Sequence, residues 1–331
     1  MCFEEKNLGL NVSNAPIGVS GIMPLAKSTK RKSFSLISQL HIIPERKGIH
    51  CGWSVPGNGV AYADCGALRF RGCLNVDEHG GALDDPGRQG KAYVQGYYRS
   101  CNRKECPKCC GSWASLEANR AVYRLLSFCV SRDLVREIYS IMDDERRSRY
   151  LERAFSHARK KVIHVIFSVP RDFYHEDISV LRASLYKIAK KCGLSGGLAI
   201  FHPFRSKDWS PHFHVLAFGW VRHVKVLYER YGWVIKNVGV RKTVFGTLIY
   251  QLSHAGVHED HHTVTWFGSL SYNKMFVDPL PECRPVCPLC GGSLVDLVFC
   301  GSLDRPPPDK EGDYFLPLSD WKVFRRVIGY T

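Results

Sequence analysis

The apolar positions of this chain change period along its length, and the changes mark out its elements. Residues 162–170 (V-I-H-V-I-F-S-V-P) are dense in β-branched side chains and closed by Pro170, which predicts a buried strand. A helix is predicted from about Ile178 to Lys191, then strands from Gly197 to His202 and from Pro211 to Phe218. A short helix from Val224 to Tyr231 and a strand at Trp233 to Val238 follow. A helix over roughly Thr243 to Ala255 and a strand at Thr263 to Phe267 complete this region. Upstream, Trp113, Leu116, Val122, Leu125, Leu126 and Cys129 recur at helical spacing. A second helix carries Leu134, Val135, Ile138, Ile141 and Met142, and continues through the charged stretch Arg146 to Lys161. Strands alternating with helices, with one tight hairpin, predict an α+β class: a mainly antiparallel sheet with helices packed on it.

These patterns divide the chain into six segments. Residues 1–50 form a loosely structured extension with a basic end, and 51–112 a Cys-rich metal-binding module. Residues 113–160 are a basic helical segment, 161–280 the α+β core, 281–301 a second cysteine cluster, and 302–331 a C-terminal tail. No internal repeat is present.

The sharpest chemical feature is Pro211-His212-Phe213-His214-Val215-Leu216-Ala217-Phe218. Strand alternation puts His212 and His214 on one face with Leu216 and Phe218, and Phe213, Val215 and Ala217 on the other. Both faces are otherwise apolar, as in a central strand. One such histidine would be a satisfied core residue; two imidazoles on one apolar face need partners, and a divalent metal supplies a shared one. His202 ends the preceding strand, so a hairpin sets it opposite His212 or His214, and either register puts all three rings on one face. Three imidazoles leave coordination positions for water or a phosphate oxygen. His164, one strand earlier, either replaces His202 or lines the core.

On the helix near Thr243 to Ala255, Phe245, Leu248, Ile249 and Leu252 form one apolar stripe, and Tyr250, Thr247 and His254 fall on roughly the opposite side. An exposed helical tyrosine is common. One that folds back beside a Lewis-acidic metal can attack a phosphodiester, giving a phosphotyrosine and a free 3′-hydroxyl.

Composition sharpens the picture. The chain has 331 residues, 45% hydrophobic and 23% charged, which excludes a mostly disordered polymer. Lys and Arg number 46 against 31 Asp and Glu, a formal charge of +15, which favours a polyanionic partner. The nineteen residues from Leu8 to Ala26 carry no charge, but their Asn, Ser, Pro and Gly content is too polar and broken for a spanning helix. Basic residues follow this stretch instead of preceding it, against the order of a secretory signal, so a cytoplasmic protein without a membrane partner is expected. Fourteen cysteines in a long, unsecreted chain point to metal, not disulfides, because Cys106-Pro-Lys-Cys109 and Cys287-Pro-Leu-Cys290 have knuckle spacing. Cys101, Cys106 and Cys109 supply three thiolates of one site. Cys283, Cys287, Cys290 and Cys300 read as a compact four-thiolate zinc ribbon.

An ordered set of motifs then carries a resemblance: Arg71-Gly-Cys73, Ser100-Cys101, Glu105-Cys-Pro-Lys-Cys109, His164-Val-Ile-Phe-Ser-Val-Pro170, Gly196-Gly-Leu-Ala-Ile-Phe-His-Pro203, Ser210-Pro-His-Phe-His214, Tyr250-Gln-Leu-Ser-His-Ala-Gly256 and Thr265-Trp-Phe-Gly268. From about Cys65 to Lys274 the chain resembles the HUH endonucleases, specifically the rolling-circle replication initiators (Rep) of archaeal plasmids and viruses. The resemblance implies a ferredoxin- or RRM-like sheet with packed helices. It further implies Mg²⁺ or Mn²⁺ held by His212 and His214, with His202 as third ligand, and Tyr250 as the nucleophile that nicks single-stranded DNA at an origin. By the same resemblance Cys73 completes the first structural Zn²⁺ site, with Cys65 the alternative.

Two departures stand out. His254 occupies a position where many relatives carry Lys, so it steadies the phosphate, acts as a general acid or is structural. The tyrosine helix has no second tyrosine, which leaves Tyr272 as a reserve nucleophile for a second cleavage. No G-x-x-x-x-G-K-[ST] loop is present, so a helicase and a polymerase of host or replicon are the expected partners. An HUH transposase or relaxase, and a non-catalytic zinc-ribbon nucleic-acid-binding protein, are the competing readings.

Overall fold

A computed structural model describes residues 52–82, 91–141, 143–205, 208–280, 285–302 and 304–324. The extension 1–50 therefore lies outside the described residues. Among those described, the chain forms six α-helices and ten strands in two antiparallel five-stranded sheets, so the α+β class holds.

The first sheet contains β1 (Leu68–Cys73), β2 (Lys91–Tyr98), β8 (Val295–Phe299), β9 (Gly312–Pro317) and β10 (Trp321–Val323), in the order β10-β8-β1-β2-β9. Segments more than two hundred residues apart thus share one sheet. The stretch expected to be a C-terminal tail supplies β9, which pairs with β2, and β10, which pairs with β8. Its small core is Ala92, Val94, Leu297 and Trp321.

The second sheet contains β3 (Ile163–Ser168), β4 (Leu194–Arg205), β5 (Asp208–Gly219), β6 (Val234–Val240) and β7 (Val264–Gly268), in the order β6-β3-β5-β4-β7. The strand bearing His212 and His214 is its middle strand. Alternation along β5 works as the sequence requires. Phe213, Val215 and Ala217 enter a core with Leu181, Leu185 and Ile188 of α4 (Ile178–Lys191) and Leu227 of α5 (Val224–Tyr231). Leu216 and Phe218 enter the core on the opposite face, formed by α1 (Cys110–Cys129), α2 (Arg132–Ser140), α3 (Asp144–His157) and α6 (Val244–Leu252).

The helical pattern from Leu134 to Lys161 is not continuous. α2 ends at Ser140, and α3 starts afresh on Asp143, whose carboxylate accepts from the backbone N–H of Arg146 at 2.6 Å. An N-cap acid in front of Asp144 and Glu145 complements the positive end of the new helix, so a break here costs little. The β4–β5 hairpin is tighter than expected, because pairing continues past His202 to Arg205 and Asp208.

Candidate metal and nucleophile site

Register brings the histidines together. His202 on β4 stands directly opposite His212 on β5, and Ile200 opposite His214. Ring centroids lie 5.4 Å apart for His202 and His212, 4.3 Å for His202 and His214, and 5.2 Å for His212 and His214. One nitrogen from each of the three falls within 4.8 Å of the others, a spacing on which a single ion can be held. His202 and His212 are buried. Nδ1 of His212 lies 2.7 Å from the carbonyl of Ser210, which fixes the proton on Nδ1 and the lone pair on Nε2.

His164 takes a supporting position outside the trio. On β3 it pairs with Leu216, one step diagonal to His214, and its Nε2 lies 2.9 Å from His214 Nδ1. The Arg241 guanidinium donates to His164 Nδ1 at 3.1 Å. Burial, with the Arg241 charge added, pushes His164 down to about 4; burial, with the nearby charges of His212, His164, His254 and Arg205, pushes His214 down to about 2. Both rings are neutral at pH 7, as metal ligation requires of His214.

α6 lies on the histidine face of the sheet. Its buried side chains Val244, Leu248 and Leu252 join Leu198, Ile200 and Leu216 in one core, while Tyr250 lies outside that core and is 53% exposed. His254 follows one turn later, with its ring 5.0 Å from that of Tyr250. Its Nδ1 lies 3.0 Å from the Tyr250 carbonyl, so Nε2 is the nitrogen left to exchange a proton or face a phosphate. The chain then crosses β4 at Gly256, whose N–H donates to the Phe201 carbonyl at 2.7 Å. A Cβ there would meet Trp53 at 2.9 Å and Phe201 and Pro203 at 3.0 Å, so only glycine permits this close crossing.

Tyr272 follows β7, whose last residue lies along the sheet from this centre. Gly268, the last residue of β7, pairs with Gly196, six residues along β4 from His202. At about 3.3 Å per residue that is about 20 Å.

Two further clusters are cysteine-rich, and their membership differs from the expected one. The first joins Cys65, not Cys73, to Cys101, Cys106 and Cys109. Cys65 Sγ lies 3.5 Å from Cys106 Sγ, and Cys101 Sγ 3.1 Å from Cys109 Sγ. β1 begins at Leu68 and ends at Cys73, five steps that carry Cys73 about 17 Å from the start of the strand. Burial and the hydrogen bond with Cys109 push Cys101 up to about 12. Cys109 is buried too, but hydrogen bonds from Ser100 and Cys101 bring it down to about 6. A bound cation would deprotonate the whole set.

The second cluster is Cys73, His79, Cys287 and Cys290. Cys73 Sγ lies 3.6 Å from Cys290 Sγ, and His79 Nε2 3.4 Å from Cys287 Sγ. Cys73 reaches this knuckle because β1 pairs with β8, Gly72 opposite Val295. Cys300 is not a member: the five residues of β8 carry it about 17 Å from the knuckle, and its Sγ contacts the Ser319 carbonyl instead. Cys283 lies outside the described residues. His79 escaped the sequence reading; the spacing Cys73-x5-His79 is the signal that could have found it. Both sets hold four soft or borderline donors, a closed composition that suits Zn²⁺.

No protein family, no curated protein and no solved structure matches this chain. Its own geometry therefore carries the functional argument. Among the described residues no helix is long and apolar enough to cross a membrane.

Proposed function

We propose that this protein is a metal-dependent single-strand DNA endonuclease and strand transferase of the HUH type, one that initiates rolling-circle replication. The observation that carries this reading is one face of one sheet. His202, His212 and His214 converge there, and the same face is covered by the helix that presents Tyr250 and His254. An H-x-H strand followed by a tyrosine helix is also what carries the resemblance, and here that strand is the middle one of a five-stranded antiparallel sheet.

In this reading His202, His212 and His214 hold one divalent cation. Its donor set is all imidazole, which suits Mn²⁺ better than Mg²⁺, an ion that favours oxygen ligands. The bound ion supplies Lewis-acid polarisation of a phosphate oxygen. Tyr250 Oη forms the new bond to phosphorus, and the bond from phosphorus to the 3′-oxygen breaks. The tyrosine proton leaves to solvent or a base, the departing 3′-oxygen takes up a proton, and the 5′-phosphate stays on Tyr250. His254, one turn on, has its ring 5.0 Å from that of Tyr250 and its Nδ1 occupied by the Tyr250 carbonyl, which leaves Nε2 to exchange a proton. The surplus of cations on the chain suits a single-stranded origin as partner, with helicase and polymerase supplied by host or replicon.

The test incubates a randomised single-stranded oligonucleotide library with the protein, with and without Mn²⁺, and sequences the cleaved ends. Cleavage at one preferred sequence that needs Mn²⁺ and is lost in His212→Ala supports the reading. Retention of the library without cleavage under any divalent ion leaves a nucleic-acid-binding protein and no nuclease.

A further inference from the structure

A second feature bears on the same chemistry from a different place. Between α1 and the edge strand β7 runs a cleft of about 540 Å³. Its walls combine aromatic rings (Trp113, Trp266, Tyr272) with cations (Lys104, Arg120, Arg124). Arg124 is only 8% exposed, yet its guanidinium has no carboxylate partner among the described residues. It donates to the backbone carbonyls of Leu270 at 2.9 Å and Met275 at 2.7 Å, and lies 4.6 Å from the centroid of the Tyr272 ring. Tyr272 is thus held from one side by a fixed cation while remaining 73% exposed. Phe276 on the same loop is exposed as well. The acids that also line the cleft are engaged: Glu117 accepts from Arg120 at 2.5 Å, and Asp278 faces Arg136 at 3.8 Å.

An open aromatic face backed by a buried guanidinium is the composition that binds an unpaired nucleobase and its phosphate. The base stacks on the ring, and the backbone follows the positive charge. One end of the cleft lies on the strand next to the one that carries His202. It begins at His262, Thr263 and Val264, and Val264 pairs with Ile200, two residues from His202. From Val264 the edge strand runs four residues, about 13 Å, to Gly268 before the loop that carries Tyr272, a distance that about four stacked nucleotides span at 3.4 Å each.

We propose that this cleft is a binding groove for the single strand leading away from the scissile phosphate, with Tyr272 as the stacking platform at its far end. The proposal rests on the nuclease reading above and adds the path of the substrate. Because stacking is tolerant of sequence, it can be tested without knowing the origin, using a fluorescein-labelled thymidine homopolymer of about twelve nucleotides and a trinucleotide of the same base. Fluorescence anisotropy would compare wild type with Tyr272→Ala and Tyr272→Phe; the side chain is exposed, so both variants fold.

The expected result is that Tyr272→Ala binds the homopolymer about 5- to 150-fold more weakly. Tyr272→Phe retains wild-type affinity, and the trinucleotide, too short to join the two ends, binds all three proteins alike. Equal homopolymer affinity for wild type and Tyr272→Ala would overturn the groove and leave the nuclease reading standing. No binding of either oligonucleotide by the wild type would overturn both.

Discussion

His164 Nε2 approaches His214 Nδ1 to 2.9 Å, and Arg241 decides which of the two nitrogens carries the proton. A guanidinium only donates, so His164 Nδ1 must accept, and the proton of the neutral ring sits on Nε2, facing His214. Ligation of an ion through Nε2 of His214 needs the reverse order, with the proton on His214 Nδ1. Arg241 thus opposes metal binding twice, by fixing the wrong tautomer and by adding a positive charge nearby. Arg241→Met is expected to raise Mn²⁺ affinity on the order of tenfold, measured by calorimetry. Unchanged or weakened affinity would contradict this role.

The revised cysteine clusters predict which thiols matter. Substituting Cys65 or Cys73 by Ser is expected to lower the bound Zn²⁺ from two ions to one per chain and to reduce thermal stability markedly, since each cluster ties together distant segments. Cys300→Ser should bind both ions and melt with the wild type. Metal analysis by mass spectrometry on the purified variants separates the outcomes, and a loss of zinc in Cys300→Ser would restore the ribbon expected from spacing.

Acid should destabilise the histidine face. His164 and His214 have folded-state values below the ordinary 6.5 of histidine, so the unfolded chain binds more protons as pH falls. Their contribution is complete above about pH 6.5 and is lost on going down through about pH 4, the folded value of His164. The melting temperature, measured without added Mn²⁺, is expected to fall across this window, and less steeply in His164→Phe, which keeps the packing but has no proton to gain. Parallel curves for the two proteins would rule out a titrating His164.

Lys104 links the first cysteine cluster to the segment that follows the tyrosine helix. Its Nζ donates to the carbonyls of His258 at 2.7 Å and His261 at 3.1 Å, while the Lys104 carbonyl accepts from Gly57. Lys104→Ala should loosen residues 257–263 by about 1–3 kcal/mol of local stability, the order of a charged hydrogen bond left unmade. Faster amide exchange confined to that segment is the expected signature, and an unaltered exchange pattern would show the contact to be idle.

The core of the fold was readable because its strands and helices bury one face each. β3, α4 and α5 fall where the β-branched run and the helical stripes place them, and the alternation in β5 alone puts His212 and His214 on one face. The trio with His202 followed from hairpin parity. What spacing could not reveal depends on pairing between distant segments. Cys73 joins Cys290 only because β1 lies beside β8, and His79 reaches Cys287 across more than two hundred residues. Local spacing therefore found Cys101, Cys106 and Cys109 of the first site and Cys287 and Cys290 of the second, but not the fourth ligand of the first site or Cys73 and His79 of the second. The second helix was extended too far because Asp143 reads as one more charge in a charged run, although it caps a new helix.

The central claim is that Tyr250 attacks DNA, and the most direct measurement is mass-spectrometric mapping of the covalent adduct. Protein incubated with the single-stranded library and Mn²⁺ is denatured, digested with nuclease and protease, and searched for a nucleotide-bearing tyrosine. The account predicts a 5′-phosphonucleotide on the peptide containing Tyr250, absent without Mn²⁺ and absent in Tyr250→Phe, which should still bind the library. An adduct on another residue, or cleavage by Tyr250→Phe at the wild-type rate, would contradict it.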